Sequence, residues 1–162
     1  MKLIRTYRGR LTFSLDENEK RLLFQVLQLY PLVPPTHHRL SENGEGPKYD
    51  ENQHLLEEAL AQQRRENRRK VVTMLDEPGR FRETTSDIQL WLSSAQVEWL
   101  LQVLNDVRVG AWLALGEPDE LGLPDIDKEN AAYVLAMEGA GYFESVLLTA
   151  LGVQEPTQTD DD

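Results

Sequence analysis

Apolar and polar residues alternate at the start of the chain. In KLIRTYRGRLTFSL, positions 11, 13 and 15 are apolar, positions 10, 12 and 14 are polar, and a glycine lies near the centre. Period-two alternation around a glycine is typical of two strands joined by a tight turn, so the segment predicts a β-hairpin that turns at Arg8-Gly9. The later segment DIQLWL alternates in the same way and is compatible with a third short strand that pairs with the hairpin.

Apolar residues then recur with helical spacing in four segments. Two of these segments open on a capping box, in which Asp16 is followed three residues later by Glu19, and Ser93 by Gln96. The sequence therefore predicts an α+β fold that is mostly helical, a bundle of about four helices with a small N-terminal β-hairpin. The predicted helices cover about 16–30, 51–75, 93–115 and 128–151.

A single domain accounts for residues 1–153 in this interpretation, because a chain of 162 residues forms one core of ordinary size. The segment 31–50, PLVPPTHHRLSENGEGPKYD, is rich in residues that favour turns, so we expect a mobile loop there. The final segment, 154–162, is polar and acidic, and we expect it to be disordered.

Three charged residues fall on the apolar sides of predicted helices. Arg108 lies in the middle of the apolar arc of the third helix, Glu144 lies among the apolar residues of the fourth, and Glu19 among those of the first. Because an isolated buried charge costs several kcal/mol, we expect Arg108 to pair with Glu144, with Glu19 or with both, as a structural ion cluster. Two alternatives stay open: Glu19 only caps its own helix, or Arg108 extends its charged head to the rim of the core.

The strongest concentration of basic residues is the run RRENRRK, residues 64–70, whose arginines fall on the side of the helix away from Leu60 and Met74. Two further arginines, on either side of Phe81, would extend the same patch. One interpretation is a face that contacts phosphates or an acidic protein segment, and the other is a solvated face balanced by neighbouring glutamates. The residues of this candidate partner or nucleic-acid face are Arg64, Arg65, Arg68, Arg69, Arg80 and Arg82.

Composition limits the classes of function. The formal net charge is −11, and the whole excess lies from Val109 onward, where twelve acidic residues oppose Lys128. Such a surface repels nucleic acid and anionic lipid, so we expect a protein partner rather than nucleic acid or a membrane. The absence of cysteine and of an apolar signal or membrane segment favours the cytoplasm.

Residues that could carry chemistry are few and scattered. His37 and His38 are adjacent in a proline-rich loop and point in different directions, and His54 is the third histidine, so we expect no metal site. No nucleophile, base and acid form a catalytic pattern, and we expect no cofactor. An enzyme with a small pocket near Asn105 and Arg108 is the second of two alternatives to a binding function.

Several of these segments resemble one known family. The opening GRLTFSLDENEKRLL, with Glu19, the helix WLLQVLNDVRVGAWLALG, with Arg108, and a final amphipathic helix are similar to an uncharacterised bacterial domain family, found mainly in actinobacteria. Genes of that family lie near the gene for the adaptor of the Clp protease. The resemblance implies a regulatory role connected with proteolysis or amino-acid metabolism, and it implies that Glu19 and Arg108 define the fold. The middle of the chain departs from the family pattern.

The sequence thus favours a non-enzymatic interaction or regulatory protein, whose basic helix face and acidic C-terminal third meet protein partners. A nucleic-acid-binding regulator that uses the run 64–70 is the first alternative. The third helix is apolar nearly all round, at Trp99, Val103 and Val109 as well as on its core arc. This pattern favours a homodimer in which a second copy covers the helix.

Overall fold

A computed structural model describes residues 1–34, 47–119 and 125–152 of the protein. Four helices and four strands lie in these ranges, so the predicted fold, α+β and mostly helical, is confirmed. In chain order the elements are β1 (Lys2–Tyr7), β2 (Arg10–Leu15), α1 (Glu17–Gln28), α2 (Pro47–Asp76), β3 (Phe81–Glu83), β4 (Ile88–Ser93), α3 (Ser94–Ala114) and α4 (Ala131–Gly152).

The strands form one antiparallel sheet in the order β1-β2-β4-β3. β1 and β2 form the predicted hairpin, and Arg8 and Gly9 at its turn both have positive φ, 48° and 74°, as a tight two-residue turn requires. β4 pairs with β2 from Arg10 to Leu15, which confirms the third strand. The fourth strand, β3, is not predicted by the sequence, because three residues are too few to show an alternating pattern.

The first turns of two helices follow the predicted capping signals. The Asp16 side chain accepts from the backbone of Glu19, and the Glu19 side chain accepts from the backbone of Asp16, at the start of α1. Ser93 and Gln96 make the same reciprocal bonds at the start of α3. Both capping boxes are therefore confirmed, and each satisfies backbone N–H groups that the helix itself leaves unpaired.

The predicted loop of 31–50 is described in part. α2 begins at Pro47, so the last four positions of that loop are helical. Positions 35–46 and the predicted tail 154–162 lie outside the described residues, and the predictions about their mobility stay predictions.

The beginning of the same loop is held against α3. The backbone N–H groups of Leu32 and Val33 donate to the Asp106 carboxylate, over 2.7 and 3.2 Å. One turn further along α3, Gly110 has no side chain, and a Cβ built there would lie 2.5 Å from the carbonyl carbon of Leu32. The loop can cross α3 at this point because Asp106 accepts its hydrogen bonds and Gly110 leaves room for its backbone.

The hydrophobic core lies between one face of the sheet and the helices α1, α3 and α4, and the C-terminal end of α2 adds Val71 and Met74. Each large apolar side chain buried there contributes about 1.5–3 kcal/mol. Because these helices pack against one face, the other face of the sheet has no described helix packed over it. Among the largest fully buried side chains are Leu11, Phe13, Leu15, Leu23, Leu27, Leu90, Leu92, Leu100, Leu104, Phe143 and Leu147.

The buried side of α3 is rotated from the predicted arc. Val103 and Val107 are completely buried, whereas Trp112 is 36% exposed and the Arg108 side chain is 54% exposed. The expectation that Arg108 lies at the centre of the core face is therefore wrong. α3 contacts α1, α4 and β4, and this breadth of contact moves the centre of its buried face to Val103 and Val107.

Among the described residues, α4 has the length and apolar composition of a membrane-spanning helix. In this fold it packs against α1 and α3, and Ala140, Phe143 and Leu147 are completely buried. A core helix passes the same compositional test as a membrane span, and packing in the core accounts for these three residues, whereas Leu135 and Leu148 of the same helix are exposed.

Candidate functional site: the open face of the sheet

The side chains that point away from the core form what we call the open face. Strand register places Arg5 opposite Thr12 and Tyr7 opposite Arg10. Alternation along each strand puts these side chains on the side opposite the buried leucines of β2 and β4. Four basic residues and no carboxylate belong to this set. The open face consists of Lys2, Arg5, Tyr7, Arg10, Thr12, Ser14, Arg82, Gln89, Trp91 and Ser93.

Trp91 is the aromatic centre of the open face. The guanidinium carbon of Arg10 lies 4.2 Å from the centroid of its ring, and that of Arg80 lies 3.8 Å from the centroid. The indole N–H donates to the carbonyl of Gly79 over 3.1 Å, which fixes the ring. A guanidinium over an indole is attracted by the ring quadrupole, so the exposed Arg10 is held by an ordered ring.

Tyr7 repeats this arrangement at the edge of the sheet. The guanidinium carbons of Arg5 and Arg8 lie 5.4 and 5.2 Å from the centroid of its ring. The Tyr7 side chain is 54% exposed, so part of its surface is accessible to a ligand. Arginine and aromatic residues therefore interleave on two neighbouring strands.

Arg80 is a buried arginine that supports Trp91 of the open face. It is 2% exposed, donates to the carbonyl of Trp91 over 2.8 Å and to the side chain of Gln96 over 3.1 Å, and is ion-paired with Glu77. The expectation that Arg80 belongs to a solvent-exposed basic patch is therefore wrong. Its charge is neutralised inside the fold, and its role at this site is to support Trp91.

The exposed arginines have no such partners. In the described ranges, no carboxylate lies within ion-pair distance of Arg5, Arg10 or Arg82. Asp87, the residue before β4, accepts hydrogen bonds from Ser14 of the open face and from Thr84. These bonds, the one from Ser14 first, lower the pKa of Asp87 below its ordinary value of 3.8.

A groove of about 380 Å³ opens between the exposed arginines. A guanidinium offers five N–H donors in a fixed fork, which matches a phosphate or a carboxylate. The threonine, glutamine and tyrosine side chains in the groove add neutral hydrogen-bonding groups, and the groove has neither a carboxylate nor an imidazole in its lining. It is lined by Arg5, Tyr7, Arg10, Thr12, Gly79, Arg82, Gln89 and Trp91.

The four arginines of the predicted basic face, Arg64, Arg65, Arg68 and Arg69, line one groove of about 420 Å³ on α2 together with Glu57, but they are not equally free to bind a partner. Arg65 and Arg69 are exposed, but Arg64 is largely buried, with its guanidinium 3.9 Å from the carboxylate of Asp106. Arg68 donates to backbone carbonyls at the C-terminal end of α1, including that of Gln28 over 2.9 Å. Two of the four arginines therefore serve the contact between α2 and its neighbours, because a carboxylate and unpaired carbonyls lie within their reach.

Arg82 also lies apart from this run. It is exposed on β3, opposite Gln89 of β4, and so belongs to the open face. The expectation that Arg82 extends the patch of α2 is therefore wrong. The strand register places its side chain in the groove of the open face instead.

The predicted ion cluster is present in part. Arg108 pairs with Glu144 over 3.1 Å, and Glu144 is buried while Arg108 reaches the rim. Glu19 does not join them: its carboxylate pairs with the amino group of Met1 and accepts from the hydroxyl of Tyr142 over 2.5 Å. Of the alternatives predicted for Arg108, the pairing with Glu144 is therefore confirmed, whereas Glu19 caps its own helix and has a cation within reach at Met1.

The two residues named for the alternative enzyme pocket lie at the surface of α3. Asn105 is exposed, and Arg108 is already paired with Glu144. Within the described residues, no group of three or more histidine or acidic side chains is arranged to hold a metal ion. His54 is exposed beside Glu58 at 3.4 Å, and His37 and His38 lie outside the described residues.

Comparison of the chain with protein-family models, with curated proteins and with solved structures finds no match. The resemblance to the actinobacterial family therefore stays a prediction. The candidate site is supported only by its own residues and contacts, as described above.

Most residues of the open face are missed by the sequence analysis. The alternation of the hairpin already puts Arg10 and Thr12 on its polar side, and that of DIQLWL puts Gln89 beside Trp91. Pairing of β2 with β4 joins these two polar sides, and it is this pairing that assembles arginines and aromatic rings on one surface. The polar alternation is visible in each strand alone, but only the pairing of β2 with β4 shows that the two polar sides form one surface.

Proposed function

We propose that this is a non-enzymatic interaction protein that holds an anionic partner on the open face of its sheet. The observation that carries the proposal is the set of exposed arginines, Arg5, Arg10 and Arg82, which share one groove and have no carboxylate partner among the described residues.

Preorganisation supports this function. An exposed arginine loses side-chain entropy when it is fixed by a ligand. Arg10 lies over Trp91 and Arg5 lies near Tyr7 before any ligand binds, so less freedom remains to be lost. The same contacts leave the N–H edges of the guanidinium groups available to an oxyanion.

The lining of the groove favours binding over catalysis. General acid–base chemistry needs a group such as a carboxylate or an imidazole at the reacting atoms, and the groove contains neither. Its hydroxyl groups, on Tyr7 and Thr12, have no base beside them in that lining. We therefore keep the proposal that the protein is not an enzyme.

Three further proposals come from the sequence. A cytoplasmic location follows from the composition, and a regulatory role follows from the resemblance to the bacterial family. The sequence favours a homodimer because α3 is apolar nearly all round, beyond what we expect one chain to cover. In the structure, however, Val103 is completely buried within one chain, and the indole of Trp99 donates to Asn67 over 2.9 Å. The open face, rather than α3, is therefore the surface that we assign to a partner.

Retention on immobilised heparin tests the anion-binding proposal. The triple variant Arg5→Gln/Arg10→Gln/Arg82→Gln should elute at clearly lower salt than the unmodified protein, because it loses the three unpaired charges of the groove. The control removes the same total charge from the exposed side of α2, as Arg65→Gln/Arg69→Gln/Lys70→Gln, and should elute close to the unmodified protein. Equal elution of both variants would contradict the proposal.

A further inference from the structure

We infer that the anionic partner is a single-stranded nucleic acid, whose phosphates contact the exposed arginines and whose bases stack on the open face. This inference rests on the proposed function and gives the chemical class of its ligand. It departs from the expectation of a protein partner, which the sequence analysis drew from net charge alone.

The arginines extend across the whole sheet. Arg5 lies on β1, Arg10 on β2 and Arg82 on β3, which are the two edge strands and one of the inner strands. With neighbouring strands about 4.8 Å apart, the cations span about 14 Å across the sheet. A row of separated charges suits a chain of phosphates better than it suits one isolated anion.

Stacking surfaces lie between these cations. Tyr7 is directly opposite Arg10 in the register of the hairpin, and its ring is half exposed. Arg10 covers Trp91, so a base can stack on the outer side of the Arg10 guanidinium rather than on the indole. Alternating aromatic and guanidinium surfaces are how single strands are held without reading their sequence.

The composition of the groove favours nucleic acid over a protein partner. Buried centres of protein–protein interfaces are apolar, and no aliphatic side chain lines this groove. Interfaces with nucleic acid are more polar and more positively charged, as this lining is.

The shape of the face favours a single strand over a duplex. A major groove about 12 Å wide admits a helix or a two-stranded ribbon, whereas the open face is four strands broad. Unpaired bases can lie flat on such a surface, and bases stacked inside a duplex cannot.

The acidic residues from Val109 onward that the structure describes lie after the end of α3, ahead of α4 and on α4. They are Glu117, Asp119, Asp125, Asp127, Glu129, Glu138 and Glu144. α3 and α4 contribute to the core on the covered side of the sheet. At physiological ionic strength charges are screened beyond about 8 Å, so the local charge of the open face, and not the net charge of the whole chain, sets the potential that a ligand meets there.

Fluorescence anisotropy with three labelled probes tests the inference. The probes are an oligouridylate of about 10 nucleotides, a duplex of the same length and a polyglutamate peptide of similar length. The oligouridylate should bind most tightly. Three phosphate contacts predict a slope of about −2 in the plot of log K against log salt concentration, and Arg82→Gln should reduce that slope by about 0.7. The control Arg65→Gln should leave it unchanged.

Variants of Tyr7 separate the contribution of base stacking to binding from that of charge. Tyr7→Ala should weaken oligouridylate binding about tenfold without a change of salt slope, and Tyr7→Phe, which keeps the ring, should bind as the unmodified protein does. Since Tyr7 is exposed at an edge strand, circular dichroism should show that both variants are folded.

The outcomes separate the two proposals. Polyglutamate binding as strong as that of oligouridylate would overturn the nucleic-acid inference and leave the anion-binding proposal standing. Equal binding of the duplex would overturn the single-strand assignment. If none of the three probes binds, both proposals are overturned.

Discussion

The guanidinium of Arg10 lies over the ring of Trp91, 4.2 Å from its centroid, on the solvent-exposed side of the sheet. The same ring is contacted by a second guanidinium, that of the buried Arg80. The two arginines differ in every other respect. Arg80 has an acid and two hydrogen-bond acceptors around it, whereas Arg10 has no acid partner in the part of the chain that the structure describes. One therefore supports the fold and the other is available to a ligand.

The first prediction concerns this division of roles. Arg80→Ala should lower the free energy of unfolding by about 1–3 kcal/mol, because it leaves the carbonyl of Trp91 and the side chain of Gln96 without their buried donor. Arg82→Ala, a change of the same type on the exposed side of β3, should change it by less than about 0.5 kcal/mol. Urea unfolding of the two variants measures both values. Similar losses would show that Arg80 is not the internal anchor.

The crossing of the first loop over α3 gives the second prediction. Gly110→Ala places a methyl group 2.5 Å from the carbonyl carbon of Leu32 and 2.7 Å from the backbone nitrogen of Val33. Backbone must move, so the variant should be destabilised by about 1–3 kcal/mol, although alanine is the better helix former. Gly152→Ala, where a Cβ meets nothing within 4 Å, is the matched control and should be nearly neutral in thermal unfolding.

The pair of Arg108 and Glu144 gives the third prediction. Glu144 has 10% of its side chain exposed and Arg108 has 54%, so the two partners are not equivalent. Arg108→Met leaves a buried carboxylate unpaired and should cost about 1–3 kcal/mol. Glu144→Gln leaves a guanidinium that water can reach and should cost less than about 1 kcal/mol. Chemical denaturation compares them, and the opposite order would contradict the burial that we describe.

The fourth prediction is a pH dependence at the edge of the open face. The hydroxyl of Ser14, and after it that of Thr84, lowers the pKa of Asp87 below 3.8 in the folded protein. A carboxylate with a lowered folded pKa stabilises the fold above its unfolded pKa, and this contribution disappears as the pH falls through the folded pKa. The stability difference between the unmodified protein and Ser14→Ala should thus be constant well above pH 3.8, the ordinary pKa of the group, and shrink as the pH falls towards this value and below it.

Asp87→Asn is the control for this dependence. Without an ionisable group at position 87, the effect of Ser14→Ala should no longer vary with pH in the acid range. A stability difference that persists unchanged to the lowest pH at which the protein folds would refute the proposed role of Asp87.

Local signals explain the part of the fold that the sequence predicts. The hairpin needs only Arg8-Gly9 and the alternation around it, and the starts of α1 and α3 need only a capping residue and its partner three positions later. Each of these signals lies within a few residues of the feature that it predicts.

The remaining features depend on residues that are distant in the chain. Arg80 is buried in contact with Trp91 and Gln96, to which it donates hydrogen bonds. These contacts cannot be predicted from the residues around position 80, because their partners lie 11 and 16 positions further along the chain. Val107 rather than Arg108 faces the core because α3 has neighbours on several sides. The candidate site is a further example, since it exists only when β2 and β4 lie side by side.

The most direct test of the account is to map the ligand on the surface by nuclear magnetic resonance. The protein has three tryptophans, whose indole N–H groups donate to three different carbonyl or amide acceptors, so their signals report three separate regions. On titration with an oligouridylate of about 10 nucleotides, the signal of Trp91 and the side-chain signals of Arg5 and Arg10 should shift, while that of Trp99 stays in place. Shifts confined to Arg65 and Arg69 on α2, with Trp91 unchanged, would contradict the account.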